Sequence, residues 1–112
     1  MTQIEFLYYE DCPSHEKALN RLREVVAEYG IRSQIEIREM KTQTQAEESK
    51  FIGSPTILIN GKDIQPYTGS TLYALTCRAY YLENGRISPL PSRYMIREAL
   101  SSQINSIERK PQ

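Results

Sequence analysis

An apolar strand that runs through four residues into a long amphipathic helix constrains this chain more than any other feature. Gln3 to Tyr9 is rich in aromatic and β-branched residues and sets Ile4, Phe6 and Tyr8 on one face, the pattern of a strand. Asp11-Cys12-Pro13-Ser14 interrupts it. From Ser14 to Tyr29 the residues Ala18, Leu19, Leu22, Val25, Val26 and Tyr29 recur at helical spacing, with Arg21, Arg23, Glu24 and Glu28 on the other faces. Gly30 supplies the stop, because it enters the left-handed region without a Cβ clash. A strand followed this closely by a helix commits the chain to helices layered on a sheet.

The following segments extend that plan. Ile35 and Ile37 alternate with charged neighbours, which predicts a second strand. Thr42 to Lys50 is polar and predicts a short exposed helix, anchored by Phe51 and Ile52. Thr56-Ile57-Leu58-Ile59 suits a strand buried on both faces. Asn60-Gly61 is a two-residue hairpin signal, with Lys62 to Gln65 returning antiparallel. The expected class is α/β, a central mixed sheet in βαβαββα order with flanking helices. Strands joined through helices are expected to pair in parallel, and the Asn-Gly turn adds an antiparallel edge.

Beyond Pro66 two readings stand. Ser70 to Glu83 forms a helix capped by Ser70, or a turn leads into a second hairpin about Asn84-Gly85, between Tyr80-Tyr81-Leu82 and Arg86-Ile87. The extended reading is preferred because Thr76, Tyr80 and Tyr81 favour strands. Ser88-Pro89-Leu90-Pro91 is a rigid link. Ser92 to about Ser101 then closes the fold as a helix, with Met95, Ile96 and Leu100 facing the core. Residues 1–101 are read as one domain and 102–112 as a polar tail that frays.

Composition narrows the partners. The 112 residues suit one domain with one modest core; 39% are hydrophobic and 25% charged. Lys plus Arg and Asp plus Glu both number 14, so no global field gathers polyanions, and nucleic acid is not expected as a partner. The longest apolar runs, Phe6 to Tyr9 and Ile57 to Ile59, are far too short for a membrane span. No basic segment leads into an apolar one at the start, so no secretory signal is read and a cytoplasmic location is expected. Nothing in the composition indicates an oligomeric state.

Chemistry centres on Cys12. It stands between the first strand and the first long helix, and is either a nucleophile, since unpaired backbone N–H groups there carry partial positive charge and stabilise a thiolate, or a buried, inert cysteine. Pro13 is expected at the first helical position, which needs no N–H. His15, three residues on, would share a face with Cys12 and modulate its proton, or stand as a solvated surface histidine. Cys-x-x-His is only half of a metal-site spacing, and no metal is assigned. Gly53-Ser54-Pro55-Thr56 precedes the buried strand. Pro55 is either a simple loop proline that starts the strand or part of a cis Ser54–Pro55 bond, which would turn the Ser54 backbone outward, able to pair with an extended peptide or a thiol ligand. Cys77 is either a small core residue or, if Leu75 to Arg78 folds over the helix start, a resolving thiol.

The strand ending in Tyr9, Cys12-Pro13 at a helix start, and Gly53-Ser54-Pro55-Thr56 with Asn60-Gly61 resemble the thioredoxin superfamily. With Cys77-Arg78-x-Tyr80, Gly85 and Ile96-Arg97-Glu98-Ala99-Leu100, residues 3–101 are similar to a group of small bacterial thioredoxin-like proteins. Some of these carry selenocysteine at the position matching Cys12, and some are associated with mercury-related genes. The resemblance implies a thioredoxin-like fold, a cis proline at Pro55 and a redox-reactive Cys12. Thioredoxin-type enzymes carry Cys-x-x-Cys, however, and His15 stands here in place of the second cysteine. A mixed disulfide would therefore be resolved by Cys77 or by an external thiol such as glutathione.

Three functions follow as expectations. The first is a thiol–disulfide oxidoreductase or related redox protein acting on a thiol or disulfide substrate without a cofactor. Cys12 attacks, Cys77 resolves, and Pro13, His15, Ser54 and Pro55 line the substrate site. The second is a thiolate module for soft metals or mercurials. The third is a catalytically silent interaction domain.

Overall fold

The computed structural model describes residues 2–31, 34–66 and 72–108, without the side chains of 104–108. The first strand, β1 (Ile4–Tyr8), leads into α1 (His15–Glu28), β2 (Ile35–Glu39) and α2 (Gln43–Glu48). The hairpin strands β3 (Thr56–Ile59) and β4 (Lys62–Asp63) follow. A short ribbon, β5 (Tyr80–Tyr81) and β6 (Ile87–Ser88), precedes α3 (Arg93–Glu108). The class is α/β, with a mixed four-stranded sheet in the order β2-β1-β3-β4 and a separate two-stranded sheet of β5 and β6.

β1 and β2 pair in parallel, Ile4 opposite Ile35 and Tyr8 opposite Glu39. β3 lies antiparallel to β1, Ile4 opposite Ile59 and Leu7 opposite Thr56. Helix-linked strands were expected to be parallel, and β3 departs from this for a physical reason. The six residues of α2 span only about 9 Å, roughly half the length of a five-residue strand. Such a helix does not carry the chain back along the sheet, so β3 starts from the end at which β2 finishes. The Asn60-Gly61 turn forms as expected, with φ of 53° and 80° at its two residues. Those values suit a type I′ hairpin.

The sheet is covered on both faces because β1 alternates. Ile4 and Phe6 face α1 and α3, packing with Leu22, Val25, Ile57, Ile96 and Leu100. Leu7 faces the other way, into a smaller cluster with Met40, Ala46 and Phe51. In α1 the apolar stripe buries Ala18, Leu22, Val25 and Val26, and Gly30 ends the helix at φ 64°. Thr42 begins α2 with a capping box, its hydroxyl accepting from the Gln45 backbone while the Gln45 side chain accepts from the Thr42 N–H.

The second hairpin is present in its extended form. Tyr80 pairs with Ser88 and Tyr81 with Ile87. The Leu82 N–H donates to Arg86 O at 2.8 Å, and the Gly85 N–H closes a turn on Leu82 O at 2.9 Å. Gly85, at φ 84°, is the left-handed residue of this three-residue loop. Ser70, the alternative helix cap, lies outside the described residues. The Ser92 hydroxyl accepts from the Met95 N–H at 3.2 Å, and α3 then continues to Glu108, well past Ser101 where its end was expected. No glycine or proline intervenes before Pro111. Among the described residues, no helix is long and apolar enough to cross a membrane.

Candidate functional site

Three loops meet at one end of the sheet. The first follows β1, where the Cys12 N–H bonds Tyr9 O at 3.0 Å and turns the chain toward α1. Ser14 is the N-cap residue, but its hydroxyl makes no cap bond and donates to Pro89 O at 3.3 Å instead. Helical geometry begins at His15, so Pro13 stands one residue before the cap and not at the first helical position. Cys12 therefore stands two residues before the N-cap. It is buried, 1% exposed, with its sulfur 3.7 Å from the Ser14 hydroxyl and 3.5 Å from Ser54 O. The His15 ring stacks on Tyr8, centroids 4.6 Å apart, while Pro13 is exposed.

The second loop is Gly53 to Thr56. The Ser54–Pro55 bond is cis, and Gly53 has a φ of 150°. The Thr56 hydroxyl donates to Gly53 O at 2.6 Å and pins the turn. Gly53 is required sterically as well, since a Cβ there would lie 2.6 Å from the Cβ of Arg78.

That close approach belongs to the third loop, a strap of residues 74–78 laid along 51–54. The Ala74 N–H donates to Phe51 O at 3.1 Å, the Ser54 N–H to Thr76 O at 2.8 Å, and the Arg78 N–H to Ser54 O at 3.1 Å. Ser54 and Cys77 thus form a parallel β-bridge. The Ser54 backbone, expected to face outward for a ligand, is paired with the chain's own strap. Cys77 is brought to Cys12 and the two form a disulfide, Cα atoms 5.7 Å apart across 65 positions of sequence. Cys77 itself is exposed.

Two side chains hold the strap. Arg78 donates to Asp63 at 2.7 Å and to Gln65 O at 2.8 Å, and its guanidinium lies 4.3 Å from the centre of the Tyr80 ring. Tyr80, fully buried, donates its hydroxyl to Pro55 O. Burial holds the Tyr80 phenol well above its ordinary pKa of 10.0.

A family model described as a domain of unknown function, DUF2703, matches residues 12–100. The chain belongs to the DUF2703 family. The matched span of this DUF2703 domain begins at the disulfide-bonded Cys12 and includes Gly53 to Pro55, the strap and the buried residues of α3. No curated protein matches the chain.

Of the expected site residues, Cys12, Cys77, Ser54 and Pro55 come together in the DUF2703 domain. Asp63, Arg78, Tyr80 and Gly53 complete the scaffold around them. Sequence reading missed the roles of Asp63 and Tyr80 because their partners are 15 and 25 positions away. One usable signal was the Arg78-x-Tyr80 spacing, which sets both side chains on one face of an extended segment. Chemically, such a pair can take up two electrons and two protons. The disulfide is the oxidised state, and its reduction leaves two thiols on backbones already held at bonding distance.

Proposed function

We propose that this DUF2703 domain is a thiol–disulfide redox protein of thioredoxin-like fold whose active pair is Cys12 and Cys77. One observation carries the reading: a disulfide joins two residues far apart in sequence, beside the Ser54–Pro55 turn, with one of them exposed to solvent. A purely structural cross-link serves best when both sulfurs are shielded, whereas an accessible sulfur lets thiols exchange with it. The mixed sheet with α1 and α3 on one face and α2 on the other is compatible with a thioredoxin-like fold. A cytoplasmic setting fits the same reading, because thiols there keep most disulfides open and those that form cycle. The substrate is a thiol or disulfide, and the chemistry needs no cofactor.

The test is equilibration of the wild-type chain in glutathione buffers of graded ratio, followed by acid quench, alkylation and intact-mass measurement. Reversible interconversion between a disulfide form and a doubly alkylated form is expected, without unfolding. A disulfide untouched by excess thiol while the fold stays intact would remove the redox reading. Stoichiometric Hg(II) uptake by the reduced chain, with no thiol exchange, would replace it with the metal-binding one.

A further inference from the structure

We infer that Cys77 is the sulfur that exchanges with the external thiol or disulfide, and that Cys12 is the inner partner that leaves and later re-closes the disulfide. This rests on the redox reading above and reverses the order expected from the sequence, in which Cys12 attacks first.

Access decides the matter. Displacement at a disulfide requires the incoming thiolate to approach the attacked sulfur from the side opposite the leaving one, so both access and choice of sulfur set the rate. Cys12 is 1% exposed, with its sulfur 3.7 Å from the Ser14 hydroxyl and 3.5 Å from Ser54 O. A thiolate aimed at it must pass through that packed shell. Cys77 is an exposed residue, so its half of the bond can be approached from solvent. The strap also answers for Cys12 once it is released. Its backbone bonds to Phe51 and Ser54, with the Arg78–Asp63 pair, do not depend on the disulfide and keep Cys77 within reach.

The steps balance with an external thiol as reductant. A thiolate RS⁻ bonds to the Cys77 sulfur as the S–S bond breaks, and Cys12 departs with the electron pair and takes up a proton. A second RS⁻ then attacks the R-bearing sulfur of the mixed disulfide, giving RSSR and the Cys77 thiolate. Two external thiols lose two electrons and the protein gains them. In the reverse direction, the Cys77 thiolate attacks RSSR and expels RS⁻. Cys12, deprotonated, next attacks the Cys77 sulfur and releases the second RS⁻. Both backbone groups of Ser54 are occupied by Thr76 and Arg78. Recognition is therefore confined to the sulfur and the surface about Cys77, which suits a small thiol such as glutathione.

Reduced full-length Cys12→Ser and Cys77→Ser chains are incubated with glutathione disulfide at neutral pH, and the adduct is followed by intact mass. Cys12→Ser, which keeps Cys77, is expected to gain glutathione on the order of tenfold faster than Cys77→Ser. Equal rates, or faster modification of Cys77→Ser, would overturn the inference. Because Cys12 is buried and its variant is at risk of misfolding, reduced wild-type protein is also pulse-labelled with iodoacetamide and mapped by peptide mass. First labelling at Cys77 supports the assignment; first labelling at Cys12 defeats it. A disulfide that never opens in glutathione buffers removes the cycle and this inference together. One that cycles while Cys12 takes the adduct removes the inference alone.

Discussion

Arg78 carries its charge into surroundings that leave its side chain only 7% exposed, and Asp63 at 2.7 Å is its counter-ion. Removing one partner of a buried pair leaves the other uncompensated, which costs about 3 kcal/mol. Asp63→Ala is therefore expected to shift the urea midpoint of the oxidised protein downward by that much stability. Tyr80 contributes differently, through a hydroxyl donated to Pro55 O. Tyr80→Phe deletes that donor and leaves the carbonyl short of a partner, a loss of about 1 kcal/mol. It also alters the alkaline limb. Burial raises the folded-state pKa of Tyr80 above 10.0, so the folded chain holds the phenolic proton more tightly than the unfolded one. The resulting stability is full below about pH 10 and is lost as pH climbs beyond it. Denaturant titrations at stepped alkaline pH should show a shallower decline for Tyr80→Phe than for wild type. At Gly53 backbone and packing act together: Gly53→Ala meets a φ of 150° and a Cβ contact of 2.6 Å with Arg78. A cost of roughly 1–3 kcal/mol is expected, with a disulfide easier to reduce in glutathione buffers because the strap is displaced.

Among the elements, those with a periodic pattern of their own were legible in the sequence. The stripe of α1, the alternation of β1 and the turns at Asn60-Gly61 and Asn84-Gly85 all rest on neighbours within a few residues. The strap does not. Residues 74–78 have no strong local preference, and their position is set by Phe51, Ser54, Asp63 and Cys12, which are distant in sequence. The direction of β3 departs from the parallel expectation because α2, short as expected, does not carry the chain back along the sheet. At the site, the position of Cys12 before a helix was legible, but its burial was not, because Ser54 and the strap provide the cover. The strap also makes oxidation a stability event. Closing a loop across 65 positions removes unfolded-state entropy worth about 4 kcal/mol. Calorimetry of oxidised against reduced protein should show a melting temperature higher by on the order of 15 °C.

At the scale of the whole molecule, α1 and α3 are fastened side by side. Arg97 makes two bonds of 3.0 Å to Glu28, and Arg93 reaches Glu24 at 2.8 Å. The Glu28 carboxyl is held below its ordinary pKa by the Arg97 hydrogen bond. These groups are solvent-exposed, so acidification is expected to affect them without unfolding the chain. The covalent link has a larger topological effect. Joining positions 12 and 77 makes α1, β2, α2, β3 and β4 parts of a closed hoop. A single tryptic cut after the exposed Lys50 would open the hoop without parting the pieces. On a denaturing gel the nicked oxidised protein is expected to migrate as one species until a reductant is added, whereupon it separates into two.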